Sequence, residues 1–121
     1  MAAAHPRPKI GEPFNPFKRF QVLVVPEPLA RYRGLPPGAK LIYGRLLRYA
    51  GKNTECYPRV DTLGEEVGLG ERQAQKHLRK LEVQGFIRTE KRYNAKGQTS
   101  NSYWFLWHPI FDEWERNQQA N

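Results

Sequence analysis

The sequence is short of acid. Twelve Asp and Glu stand against 20 Lys and Arg in 121 residues, which leaves a formal charge of +8 and a pI near 9.9. That balance favours a polyanionic partner. Cysteine is nearly absent as well. Cys56 on its own excludes an intrachain disulfide, and its place beside Tyr57 suits a small packed side chain better than a reactive thiol. His5, His77 and His108 are scattered, and one cysteine cannot complete a zinc set, so no metal and no other cofactor is expected. No apolar run approaches the ~20 residues that span a bilayer, and Met-Ala-Ala-Ala-His-Pro-Arg-Pro lacks the apolar core of a signal peptide. A cytoplasmic protein with no membrane partner is expected.

The signatures of catalysis are missing too. There is no Gly-rich phosphate loop and no nucleophile elbow, and Glu65 and Glu66 are adjacent on one exposed helix and point apart, so they make no carboxylate pair. A non-enzyme with no evident small-molecule substrate is the expectation. The length suits a single domain with a modest core.

What is present centres on Tyr57 to Ile87. Val60, Leu63 and Val67 recur at helical spacing, Gly68 breaks the pattern, and Ala74, Leu78 and Leu81 resume it, with Leu69 alone in the break. Two short helices joined by a tight turn follow, with Gly68 in the left-handed conformation that ends the first and Gly70 as N-cap of the second. Gly64 falls where the second helix crosses the first, and lets the backbones approach. This is a helix-turn-helix, a unit whose second helix can lie in the DNA major groove. At ~100° per residue Ala74, Leu78 and Leu81 point inward, while Arg72, Lys76 and Arg79 fall opposite, with Gln75 at their edge. These four side chains can donate to base edges and phosphates. The plainer alternative is a solvated basic face.

The run Tyr-Pro-x-Val-Asp-Thr-Leu-Gly-Glu-Glu-Val-Gly-Leu-Gly-Glu-Arg, followed by Leu-Arg-Lys-Leu-Glu-x-x-Gly-Phe-Ile, resembles the winged helix-turn-helix domains of bacterial and phage DNA-binding proteins. It is most similar to those of plasmid and phage replication initiators and related regulators. The resemblance covers roughly Leu35 to Leu106 and implies an α+β winged helix-turn-helix fold, with a three-helix core and a β-hairpin wing. It also implies double-stranded DNA as partner, a nucleoid-associated location, and a role in replication or transcription control. Initiators of this kind continue into further domains, so a short relative or a fragment is expected. Ser or Thr is common in the family where this chain has Arg59 and Gly70, so both helices begin with weaker caps.

The flanks complete the expectation. Residues 1–19 carry Pro6, Pro8, Pro13 and Pro16, with Arg7, Lys9, Lys18 and Arg19 against Glu12, and read as a basic flexible arm: either an inert leader or a strap along phosphates. The winged domain is expected over 20–107. Within it Phe20 to Val25 reads as a strand or extended segment docked on the core, and Arg31 to Gly38 as a loop. A central helix follows from about Ala39 to Ala50, with Ile42, Leu46, Tyr49 and Ala50 as its apolar stripe. Asn53 to Glu55 reads as a turn. The recognition helix occupies about 71–84. After Gly85, strands over Phe86 to Tyr93 and Ser102 to Leu106 form a hairpin whose tip is Asn94-Ala-Lys-Gly-Gln-Thr. This wing, about 91–101, offers Lys91, Arg92, Lys96, Gln98, Thr99, Ser100 and Asn101 to phosphate and sugar oxygens.

From 108 a short helix opening at Pro109 carries Trp107, Ile110, Phe111 and Trp114 on one face, ahead of a frayed tail over 117–121. That face either packs on the domain, giving a monomer, or makes a dimer contact, on DNA or off it. A second function keeps the same residues in view: a protein-interaction winged helix docking a partner on this aromatic face.

Overall fold

Pro16–Arg19 is the first helical turn (α1) in the part of the chain the structure describes, residues 7–119 of a computed structural model. Five further helices and five short strands follow among the described residues: α2 Glu27–Arg31, α3 Pro37–Ala50, β1 Glu55–Cys56, α4 Val60–Glu66, α5 Glu71–Val83, β2 Ile87–Glu90, β3 Tyr93–Asn94, β4 Gly97–Gln98, β5 Ser102–Phe105 and α6 Pro109–Gln119.

The core forms where the inner faces of α3, α4 and α5 meet. Ala39, Ile42, Tyr43, Leu46 and Ala50 of α3 are buried along one helical face, and they meet Leu63 of α4 and Ala74, Leu78 and Leu81 of α5. Pro37 opens α3, where its missing N–H costs nothing, and Gly51 closes it at φ 58° with its N–H on the Leu47 carbonyl at 2.9 Å. Tyr49 departs from the expected stripe. It is 43% exposed, and its hydroxyl donates to the Glu66 carboxylate at 2.8 Å, so a polar tip took the ring to the surface. Arg45 joins the same carboxylate at 2.9 Å and ties α3 to α4.

The turn between α4 and α5 is the expected one. Gly68 adopts φ 74°, and the Leu69 N–H reaches back to the Gly64 carbonyl at 2.7 Å. A Cβ on Gly64 would stand 2.8 Å from the Leu69 carbonyl oxygen and 3.3 Å from the Ala74 Cβ, so the close crossing requires glycine. Arg59 and Gly70 are the N-caps, neither with a side-chain cap bond. Only the Gln73 side chain reaches back, to the Gly70 N–H at 3.4 Å.

Gly85 at φ 85° releases the chain into a three-stranded antiparallel sheet of order β1-β5-β2, with β3 and β4 pairing as a separate ribbon at the hairpin tip. Cys56 and Thr89 both pair with Tyr103, and Ile87 pairs with Phe105, which puts these residues on the face toward the helices. Glu55 and Arg88 pair with Trp104 on the other face. A helix-turn-helix with a hairpin folded beside it makes this an α+β winged helix.

Of the two alternatives for Phe20 to Val25, the structure takes the extended segment, docked on α3, where a Cβ on Gly44 would meet the Val24 carbonyl oxygen at 3.0 Å. Several other expectations need correction. The loop expected from Arg31 is shorter, because α2 precedes it and buries Leu29. The turn at Asn53 to Glu55 ends in β1, a strand created by pairing with β5. The arm contains α1, with Asn15 accepting from the Phe17 N–H at 2.9 Å, while residues 1–6, including His5 and Pro6, lie outside the described residues. Residues Asn117 to Gln119, expected to fray, continue α6, and 120–121 lie outside the described residues.

The aromatic C-terminal face is divided rather than buried whole. Ile110 and Phe111 pack against the core, Trp114 is half-buried under the Arg31 guanidinium at 5.1 Å, and Trp107 stays 61% exposed with its Nε1–H on Asp112 at 3.0 Å. Among the helices and strands, α6 lies chiefly against α2.

Candidate nucleic-acid interface

The outer side of α5 carries Arg72, Gln75, Lys76 and Arg79, all exposed, while Ala74, Leu78 and Leu81 anchor the opposite side. None of the three cations forms an ion pair among the described residues, although Arg31, Arg45, Arg59 and Arg88 do. Charge left unpaired on a surface helix is available to an external anion.

Between α5 and the sheet runs an open groove of about 410 Å³, in which Arg72, Gln75, Lys76 and Arg79 face Thr89, Asn101 and Tyr103. Asn101 alone of the wing candidates thus joins the helix residues. Lys91, Arg92, Lys96 and Gln98 stand farther out and are exposed, whereas Thr99 and Ser100 are half-buried. Part of the wing's polarity is used internally: Gln98 donates to the Asn101 side chain at 3.1 Å, Arg92 to the Ser100 hydroxyl at 3.4 Å, and the Thr99 N–H closes on the Arg92 carbonyl at 2.8 Å. The Arg92 guanidinium lies over the Tyr57 ring at 4.4 Å, drawn toward the outer sheet face.

Three groove residues were not singled out from sequence. Glu82 follows Gln75 by seven positions and so shares its helix face, a signal that helical spacing already carried. Thr89 and Tyr103 come into the groove through strand pairing, which no local pattern announces. Burial raises the Tyr103 hydroxyl above its ordinary range; it lies near the Asn101 side chain without meeting hydrogen-bond geometry. The His77 imidazole, on α5, is held below its ordinary range first by burial and then by the charges of Lys80 and Lys76, which disfavours a further positive charge there. It packs instead against Gly38 at the start of α3, where a Cβ would come within 2.3 Å of its Nε2.

Among the described residues no group of His, Cys, Asp and Glu is placed to hold a metal ion, and no helix is long and apolar enough to cross a membrane.

Fold and groove together define a winged-helix protein with a basic, uncommitted second helix. Residues 33–87 match the helix-turn-helix domain family, a span that takes in α3, α4 and α5 and ends at the first residue of β2. The chain therefore carries a helix-turn-helix domain. No curated protein matches the chain.

Proposed function

We propose that this protein binds double-stranded DNA and catalyses no reaction. The recognition helix, about 71–84, enters the major groove, where Arg72, Gln75, Lys76 and Arg79 read base edges or grip flanking phosphates. The wing, about 91–101, lies on the backbone, with Lys91, Arg92, Lys96, Gln98, Thr99, Ser100 and Asn101 as its donors. The observation that carries this reading is the groove in which three cations with no ion pair among the described residues and an amide on α5 face Asn101 at the foot of the wing. The same reading divides the chain into a basic arm over 1–19, the winged domain over 20–107 and a C-terminal helix from 108. It makes the protein a cytoplasmic, nucleoid-associated regulator of transcription or a replication-initiator-like factor, monomeric when free, with dimerisation on DNA as the alternative.

Selection from a random duplex pool tests it. An enriched motif whose affinity falls steeply as salt rises supports the proposal, because phosphate contacts release counterions. Failure to enrich any duplex at low salt overturns it.

A second reading has its own support. Trp107 is largely exposed beside a groove of about 440 Å³ lined by Pro26, Pro28, Tyr43, Phe111 and Trp114, a surface suited to docking another protein. Binding there would depend little on salt, which separates the two.

A further inference from the structure

The sheet has a second face, opposite the one that carries Tyr103 and Ile87. Strand register places Arg88, Trp104 and Glu55 in one row across this outer face, directed away from the core. Beside Trp104 opens a cleft of about 650 Å³ whose walls include Tyr49, Asn53, Thr54, Glu55 and Tyr57. Its volume lies within the ~300–1,000 Å³ typical of ligand clefts.

Three aromatic rings thus converge on one open space, and each is held from outside. The Tyr49 hydroxyl is bound by Glu66 at 2.8 Å, Arg92 caps Tyr57 at 4.4 Å, and Arg88 caps Trp104 at 5.2 Å. Despite its cap, Tyr57 remains 57% exposed. Leaving such rings in water is costly, and fixing them in advance removes the entropy that a ligand would otherwise have to overcome. Flat π-faces, an amide and a hydroxyl at the rim, and guanidinium groups over two of the rings make up the chemistry that binds unpaired bases.

We infer that the outer sheet face, with Tyr49, Tyr57 and Trp104 as stacking rings and Asn53 and Thr54 as edge donors and acceptors, is a binding site for single-stranded nucleic acid. The site is separate from the α5 groove and does not rest on the duplex reading. Lys52 in the preceding turn, Arg88 and Arg92 supply phosphate partners. Glu55 lies in the cleft and Glu90 pairs with Arg88 at 3.2 Å, so the surface is not uniformly basic. Stacking has to carry the affinity, and its salt dependence is shallower than that expected of the α5 groove.

The test uses the full chain and a fluorescein-labelled thymidine 20-mer, with a uridine 20-mer in parallel to separate DNA from RNA as the source. Tyr57→Ala weakens binding of at least one strand by roughly five- to 150-fold, the range one stacked base contributes, while Tyr57→Phe restores it. The Arg72→Ala, Lys76→Ala, Arg79→Ala triple variant keeps single-strand binding. A variant with Trp107→Phe and Trp114→Phe leaves Trp104 as the sole tryptophan, and its fluorescence is quenched by the bound strand. Unchanged affinity in Tyr57→Ala, an unquenched Trp104, or loss of single-strand binding in the α5 triple variant overturns the proposal.

Discussion

His108 lies flat on Phe86, with ring centroids 3.9 Å apart and planes inclined by 3°. Phe86 is fully buried at the exit of α5, and His108 immediately precedes α6, so the stack fastens the C-terminal helix to the end of α5. The same imidazole accepts the Ile110 N–H on Nδ1 at 3.1 Å, serving the first turn of α6 as a cap would. Replacing His108 with Ala removes both contacts and is expected to cost about 1–3.5 kcal/mol, combining ~0.5–1.5 for the stack with ~0.5–2 for the cap. Urea unfolding reads the loss directly. His108→Phe, which keeps only the stack, should recover part of it.

Gly64 is the second point of control. Its Cβ position is 2.8 Å from the Leu69 backbone oxygen, and backbone cannot step aside as a flexible side chain does. Gly64→Ala should therefore destabilise by about 1–3 kcal/mol and push α5 away from α4. Thermal unfolding checks the stability. Duplex affinity should fall with it, since the helix and wing no longer share one groove geometry.

For the wing, the expectation is about salt. Lys91→Ala with Lys96→Ala should weaken binding to all duplex sequences by a similar factor and reduce the slope of log affinity against log salt by ~1 per lost contact. A titration at several salt concentrations measures this. A change in base preference with an unchanged slope would make the wing a reader of bases instead.

Cys56 gives a pH signature. Burial, aided by the Glu55 charge, pushes its thiol from an ordinary 9.0 to about 11 in the folded chain. Its folded value is above its unfolded one, so its contribution is fully present below pH 9 and is lost as pH rises toward 11. Relative to Cys56→Ala, the wild type should lose stability on the order of 2 kcal/mol across that window. Paired urea titrations at each pH read the effect together with that of Tyr103, whose hydroxyl the Cys56 charge helps to raise.

Much of this was legible because α4 and α5 are local objects. The spacing of Leu63, Ala74, Leu78 and Leu81 and the breaks at Gly68 and Gly85 depend only on near neighbours, and both helices and their turn lie where that pattern puts them. What could not be read was set by distant partners or by too few residues. β1 is two residues long and exists because Glu55 meets Trp104 across the sheet. α2 is five residues with Pro28 inside its first turn and only Leu29 buried, so no periodicity marks it. Tyr49 leaves the apolar stripe because its ring counts as apolar while its hydroxyl seeks Glu66. In the groove, the α5 residues were readable from one helix face, whereas Thr89 and Tyr103 required the strand register.

The central claim is that α5 grips duplex DNA through side chains the fold does not need. Arg72, Lys76 and Arg79 are exposed and make no ion pair within the described residues. Replacing all three with Ala and measuring both the melting temperature and affinity for the selected duplex at moderate salt tests it most directly. A nearly unchanged melting temperature with specific binding abolished is expected. Specific binding retained by a folded triple variant would contradict it.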